Sequence, residues 1–201
     1  MNVAGLQTAL TAKGYPCKPD GALGPATYAA LLSYASQRPL GPVGVALGNG
    51  CAAAFPPAGI TTSLRVAHWV AQATHETEGF RYLTEIGGSS YFAKYDGRTD
   101  LGNTHPGDGF TYRGRGIFQI TGRWNYAHFG GEIGQPLEAQ PNLAAQPAIA
   151  VAIACRYWTE RGIGPLADED DIEGVTRKIN GGLNGLDERE TILNRVKAIF
   201  G

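Results

Sequence analysis

The sequence predicts an α+β protein that is predominantly α-helical, and three observations carry that expectation. Apolar residues recur at helical spacing from Val3 to Leu10, from Leu64 to Ala71 and through the run AIAVAIACRYW that ends at Trp158. Between Arg81 and Gly116 the periodicity vanishes and turn residues dominate, leaving room for a short hairpin or extended lobe around Glu85 to Ser90. Glycine makes up 29 of 201 residues, about twice its usual share of roughly 7%. These glycines concentrate between Gly79 and Gly134 and again after Gly162, so long shaped loops join the helices.

At 201 residues the chain suits one well-buried domain with a small appendage. A net charge of -1 supplies no basic stripe for phosphates, which argues against nucleic acid as a partner. No stretch is apolar for long enough to span a bilayer, and the N-terminus lacks a basic start followed by an apolar run, so no secretory signal is expected. Three scattered cysteines, Cys17, Cys51 and Cys155, fit reduced thiols, and Cys155 within its apolar run reads as core.

Taken in order, Val3, Leu6, Ala9 and Leu10 define a first helix that stops at Gly14. A second helix carries Tyr28, Leu31, Leu32 and Tyr34 after a turn of Asp20, Gly21, Gly24 and Pro25. Residues 36–60, rich in Pro, Gly and Ala, read as a linker in which VGVALG is at most a short helix. A boundary near residue 40 is expected, giving a helical module over 1–40 and a main domain over 41–201. Thr61 or Thr62 then caps a helix with an inward stripe of Leu64, Ala67, Val70 and Ala71, ending near Gly79. After the loop region, Gln119, Thr121, Trp124 and Asn125 fall close together. Aromatic faces stack on pyranose rings while amides bond to hydroxyl and acetamide groups, so this mixture suits a sugar surface. The chain closes with a helix stopped at Asn180-Gly181-Gly182 and an amphipathic helix carrying Arg189 and Arg195.

The chemistry concentrates in HETEGFRYLTE, residues 75–85. Glu76 falls in the last turn of an apolar helix, where partial desolvation would raise its pKa and make it a general acid. Glu85 lies nine residues further on. On one continuous helix the two would stand about 13.5 Å apart on opposite faces, but Gly79 lets the chain turn back so that Glu85 faces Glu76 across a groove. Paired carboxylates about 6.5 to 9.5 Å apart serve inverting glycosidases, and about 5 to 5.5 Å serves retaining ones. Glu78 projects about 200° away from Glu76 on a helix and reads as a surface or salt-bridged acid, with Arg81 at hand. Other chemistries fit poorly. A zinc peptidase motif HExxH would need histidine where Gly79 stands, and no GxSxG elbow appears. Asp96, Asp100, Asn103 and Asp108 lack the order of a calcium loop, so no metal or other cofactor is expected.

Two resemblances sharpen this. The order LQ, GY, DGxLGPxT and AL over residues 3–36 resembles the peptidoglycan-binding repeat of cell-wall hydrolases, without its second DGxxGxxT turn. HETEGF, then YRGRGIFQITGRWNY, then INGG, spread over roughly 55–200, resemble the family nineteen glycoside hydrolases, which include plant-type chitinases and phage endolysins. The family resemblance implies a lysozyme-like fold and an inverting mechanism. Glu76 would be the general acid and Glu85 the general base, at a short spacing similar to the endolysin-like branch, with Thr121 holding the attacking water. Gln119, Asn125, Asn180 and Trp124 would bind N-acetyl sugars, alongside Tyr112, Arg113 and an orienting or packing His75. The expected substrate is bacterial peptidoglycan, with chitin or a catalytically inactive wall-binding protein as alternatives. A monomer held in the host cytoplasm and released through a membrane pore is the expected form.

Overall fold

The computed structural model describes residues 1–201 as eleven α-helices joined by loops and three short 3₁₀ turns. Helices α1 (Val3–Ala12) and α2 (Pro25–Ala35) form the N-terminal pair, followed by α3 (Gly41–Ala54) and α4 (Ser63–Glu76). The loop region holds only α5 (Ser89–Phe92) and α6 (Asp108–Thr111), and α7 (Arg123–Ile133) leads back to the body. Then come α8 (Pro147–Glu160), α9 (Ile163–Asp168), α10 (Ile172–Asn180) and α11 (Leu186–Phe200). The expected hairpin near Glu85 is absent as a strand pair. Two isolated bridges, Thr84 to Arg115 and Arg115 to Ile120, are all the β structure there is. No helix is long and apolar enough to cross a membrane.

The N-terminal turn is tied around one side chain. Gln7, 1% exposed, donates through Nε2 to Asp20 Oδ1, the Ala22 carbonyl and Thr27 Oγ1, and its Oε1 accepts from the Gly21 N–H. The three polar side chains of the LQ…DGxLGPxT pattern, Gln7, Asp20 and Thr27, therefore satisfy one another and the backbone of the turn. Pro25 opens α2, where its missing N–H costs nothing and its ring pre-sets the helical φ.

Residues 36–60 are not a linker. Fourteen of them form α3, which packs closely on α2 and α8. Its glycines are contact points rather than breakers. A Cβ at Gly48 would sit 2.3 Å from the Pro25 carbonyl oxygen, and one at Gly50 would sit 3.0 Å from Ala148 Cα. Close helix approach outweighs the helix-propensity cost of glycine, about 1 kcal/mol per residue. No seam falls at residue 40, because Leu6, Leu10, Leu31 and Leu32 belong to the same 32-residue core cluster as Trp69, Val151 and Trp158.

Helix α4 is the axis of that core. It is buried on every side from Val66 to Thr74, so the expected single stripe is replaced by all-round burial, and Leu64 is only half-buried. Thr62 caps it by accepting from the Arg65 N–H. The apolar run of α8 buries Val151, Ile153, Ala154, Cys155 and Trp158 against its neighbours, and the three cysteines are unpaired. A smaller cluster under the loop region gathers Tyr112, Ile120, Tyr126 and Phe129.

Candidate active site

The candidate site forms where α4 ends. The helix stops at Glu76 rather than near Gly79, and Glu78, Gly79 and Phe80 follow with φ of 48°, 70° and 63°. Two of the three are non-glycine residues in the left-handed region, a conformation that costs energy and persists only where surroundings enforce it. Here Thr77 Oγ1 donates to the Ala73 carbonyl and accepts from the Phe80 N–H, while Arg38 Nη2 donates to the Gly79 carbonyl at 2.5 Å. Because the helix has ended, Glu78 is not on the opposite helical face. It is exposed beside Glu76 and forms no ion pair with Arg81.

Glu76 closes the last turn of α4 as expected, but its carboxylate is paired with a buried charge. Its side chain is 18% exposed, and Oε1 accepts from Arg189 Nη2 at 2.5 Å. Arg189 is fully buried, and it also donates to Gln72 Oε1 and to the Asn184 carbonyl. Gln72 in turn donates to Thr176 Oγ1. A buried guanidinium demands such partners, since an unpaired buried charge is far more costly than a paired one. With Oε1 so engaged, Oε2 is the atom free to meet a ligand. Sequence reasoning noted Arg189 without giving it a role, although the signal was there. Arg189, Ile192, Leu193 and Val196 form the buried stripe of α11, so an arginine occupies a core position and calls for a buried acceptor.

His75 Nδ1 lies 2.8 Å from Glu188 Oε2, and its ring rests on the turn before α11. Gly185 makes that approach possible: it has φ +71°, and a Cβ there would be 2.2 Å from His75 Cε1. Glu188 and Gly185 were not foreseen.

Glu85 is held by backbone. Its N–H donates to the Gly114 carbonyl at 2.8 Å, and its Oε2 accepts from the Gly114 N–H at 3.1 Å. Gly114 has no room for a side chain, since a Cβ would meet Gln119 Oε1 at 2.8 Å and Glu85 Oε2 at 3.0 Å. Gln119, at φ 50°, donates to the Gly116 carbonyl. Thr121 Oγ1 donates to the Gln119 carbonyl, and Asn125 Nδ2 donates to the Thr121 carbonyl.

Glu76, Glu85 and Gln119 line one hollow of about 400 Å³, with Glu78, Tyr82 and Thr84 completing its wall. Glu76 also borders a second hollow of about 710 Å³, shared with His75, Asn180 and Arg189. The glutamate thus divides two depressions. Trp124 stands 60% exposed and stacks on His128, with ring centroids 4.8 Å apart. Tyr112 lines neither hollow beside Glu76: it is 4% exposed, packs on Tyr126, and donates its hydroxyl proton to the Glu138 carbonyl. Its place in the second core cluster corrects the expectation that it binds sugar. Arg113 is half-buried, donating to the Phe110 carbonyl with its guanidinium 4.3 Å from that ring's centroid. Burial first and Arg115 second hold its pKa below the ordinary value.

No group of three or more His, Cys, Asp and Glu side chains converges to hold a metal ion. In the loop region Asp96 accepts from the Gly107 and Gly109 N–H groups, and Asp108 accepts from those of Thr104 and His105 and pairs with Arg123. These carboxylates order the loop. Burial works to raise the Asp108 pKa, but Arg123 and the backbone N–H groups outweigh it and leave it below 3.8.

The family model described as chitinase class I matches residues 48–169. A glycosyl hydrolase family 19 domain-containing protein from Haemophilus influenzae is 35% identical over 160 residues, covering 66% of this chain and 78% of that protein. An endochitinase from Arabidopsis thaliana is 32% identical over 153 residues, and the match takes in 68% of this chain but only 51% of the plant protein. The crystal structure of a family GH19, class IV chitinase from Zea mays superposes with a TM-score of 0.63 at 26% identity, covering 86% of this chain and 90% of that one.

Proposed function

The chain belongs to glycoside hydrolase family 19, the class I chitinase family, and from that premise we propose that its substrate is bacterial peptidoglycan, cut as an endolysin cuts it. The bond is the β-1,4 link between N-acetylmuramic acid and N-acetylglucosamine. Glu76 is the general acid, passing a proton from Oε2 to the glycosidic oxygen while Arg189 holds Oε1. Glu85 is the general base. One of its oxygens is tethered by Gly114, so the other accepts a proton from water, with the Thr121 hydroxyl helping to place that water. Attack from the face opposite the leaving group inverts the anomeric carbon in one step. Gln119, Asn125, Asn180 and the open face of Trp124 position the sugars. The enzyme acts as a monomer.

The observation that carries the peptidoglycan reading is the N-terminal turn knotted around Gln7, whose sequence pattern resembles a wall-binding repeat and which shares the core of the hydrolase. A chitinase is the second reading, favoured by the endochitinase and chitinase names of the plant relatives. Mass spectrometry of digested sacculi against digested N-acetylglucosamine oligomers separates the two. Fragments ending in muramic acid support the first, and oligomer cleavage with intact sacculi supports the second. Glu76→Gln is expected to lower the rate on the preferred substrate at least about 100-fold, the lower end for general acid catalysis. An unaltered rate would remove Glu76 from the mechanism.

A further inference from the structure

The 710 Å³ hollow on the far side of Glu76 is lined by four arginines, Arg38, Arg81, Arg189 and Arg195, against three acids, Glu76, Glu78 and Glu188. Arg189 is matched by Glu76, and Glu188 by His75. Three guanidiniums then face a single unpaired carboxylate, Glu78. Arg38 and Arg195 bond only to backbone, at the Gly79 and Ala35 carbonyls, each through one nitrogen. Each guanidinium carries five N–H donors, so both keep most of their donors free. Arg81 is exposed and has no side-chain partner at all. In a chain of net charge -1, this is a local cationic excess, concave and directly beside the proposed proton donor.

Planar, forked donors of this kind recognise carboxylates, often through two parallel hydrogen bonds. A glycan of N-acetylglucosamine alone is neutral and offers them no carboxylate, only the weaker acceptors of its hydroxyl and acetamide groups. Peptidoglycan carries a lactyl ether on every muramic acid, ending either in its own carboxylate or in a peptide with free carboxylates. We propose that Arg81 and Arg195, with the free edge of Arg38, form a carboxylate subsite that receives this acidic substituent and so favours the muramic-acid-bearing strand. The inference rests on the peptidoglycan reading for its biological sense, yet the subsite can be measured without it.

The test is competition. Hydrolysis of whichever glycan the enzyme cleaves, sacculi or a neutral N-acetylglucosamine oligomer, is measured with N-acetylglucosamine, N-acetylmuramic acid or muramyl dipeptide as inhibitor. The last two isolate the lactyl carboxylate and the peptide carboxylate. Either is expected to inhibit the native enzyme about tenfold more tightly than N-acetylglucosamine, as one charge-assisted contact supplies. That margin is expected to shrink severalfold in Arg81→Gln and Arg195→Gln and to return in part in Arg81→Lys. Because Arg81 is exposed, its variants preserve the fold, so loss of folding in Arg195→Gln would not hide the result. Equal inhibition by all three sugars, or a margin unchanged in Arg81→Gln, overturns the subsite. If sacculi stay intact while the arginine-dependent margin persists, the peptidoglycan function falls and the subsite stands.

Discussion

Glu76 ends a helix buried from Val66 to Thr74 and is gripped by a buried arginine, whereas Glu85 sits on a loop and is gripped by the backbone of one glycine. The first half of the site inherits the rigidity of the main core, because Arg189, Gln72 and Thr176 are themselves packed in it. The second half leans on two isolated bridges among Thr84, Arg115 and Ile120 and on the smaller core cluster beneath them. In the proposed mechanism, an acid that must meet one oxygen benefits from being immovable, and a base that must accommodate water and a sugar ring tolerates a softer mount.

Breaking the rigid half is expected to cost most. Arg189→Ala strands Glu76 and Gln72 without their buried donor and should lower stability by about 3 to 5 kcal/mol, read as a shifted denaturant midpoint together with loss of hydrolysis. If the midpoint stays put, the core mount is not what holds Glu76. Gly114→Ala probes the soft half. Its Cβ would press on Glu85 Oε2 and Gln119 Oε1, so kcat should fall about tenfold, some 1.4 kcal/mol in the barrier, with the melting temperature moved far less than by Arg189→Ala. A large loss of stability with kcat preserved would mean that Glu85 is not poised by this contact. Gly48→Ala tests the core away from both carboxylates. Overpacking against Pro25 should cost about 1 to 3 kcal/mol and leave the pH profile of hydrolysis unchanged.

The smallest effect comes from the middle of α4. His68 is buried and lies 2.9 Å from Asp170, which also pairs with Lys197. Burial lowers the His68 pKa below its ordinary 6.5, and Asp170 only partly opposes it. The native state therefore resists a proton that the unfolded chain accepts. Stability is complete above about pH 6.5 and declines as the pH falls from there to the folded value, by at most about 1.4 kcal/mol per pH unit. Thermal melts between pH 7 and 5 should show this slope in the native protein and a flatter one in His68→Asn. Equal slopes would assign the acid sensitivity to other groups.

Much of the rigid half is legible in sequence, and the reason is local. A helix start, an apolar run and an acid at its end lie within a few residues of one another, so α4 and Glu76 follow from spacing. That Glu85 returns to the same hollow as Glu76 follows from the break at Gly79, but what holds it there does not, because its partner Gly114 is 29 residues away and long-range pairing leaves no periodic trace. Helix α3 is misread as a linker because glycine propensity speaks for an isolated helix, while the close approach to Pro25 and Ala148 decides for the folded one. Tyr112 is misassigned for a related cause: a motif shows which residues travel together but not which of them point inward. Glu78 is at the surface as expected, but its direction relative to Glu76 is misread through a single missed helix end.

The Arg38 contact with the Gly79 carbonyl carries a consequence for anyone wishing to rearrange the protein. Residues 1–40 look like a detachable cartridge in sequence, yet they brace the strained turn beyond Glu76, and α2 covers the glycine face of α3. Trading them for an unrelated helical unit would uncover that face and release the turn together. A functional exchange would have to carry over the Ser36 to Arg38 corner and the α2 surface, so the practical splice point lies inside the N-terminal helices and not after them.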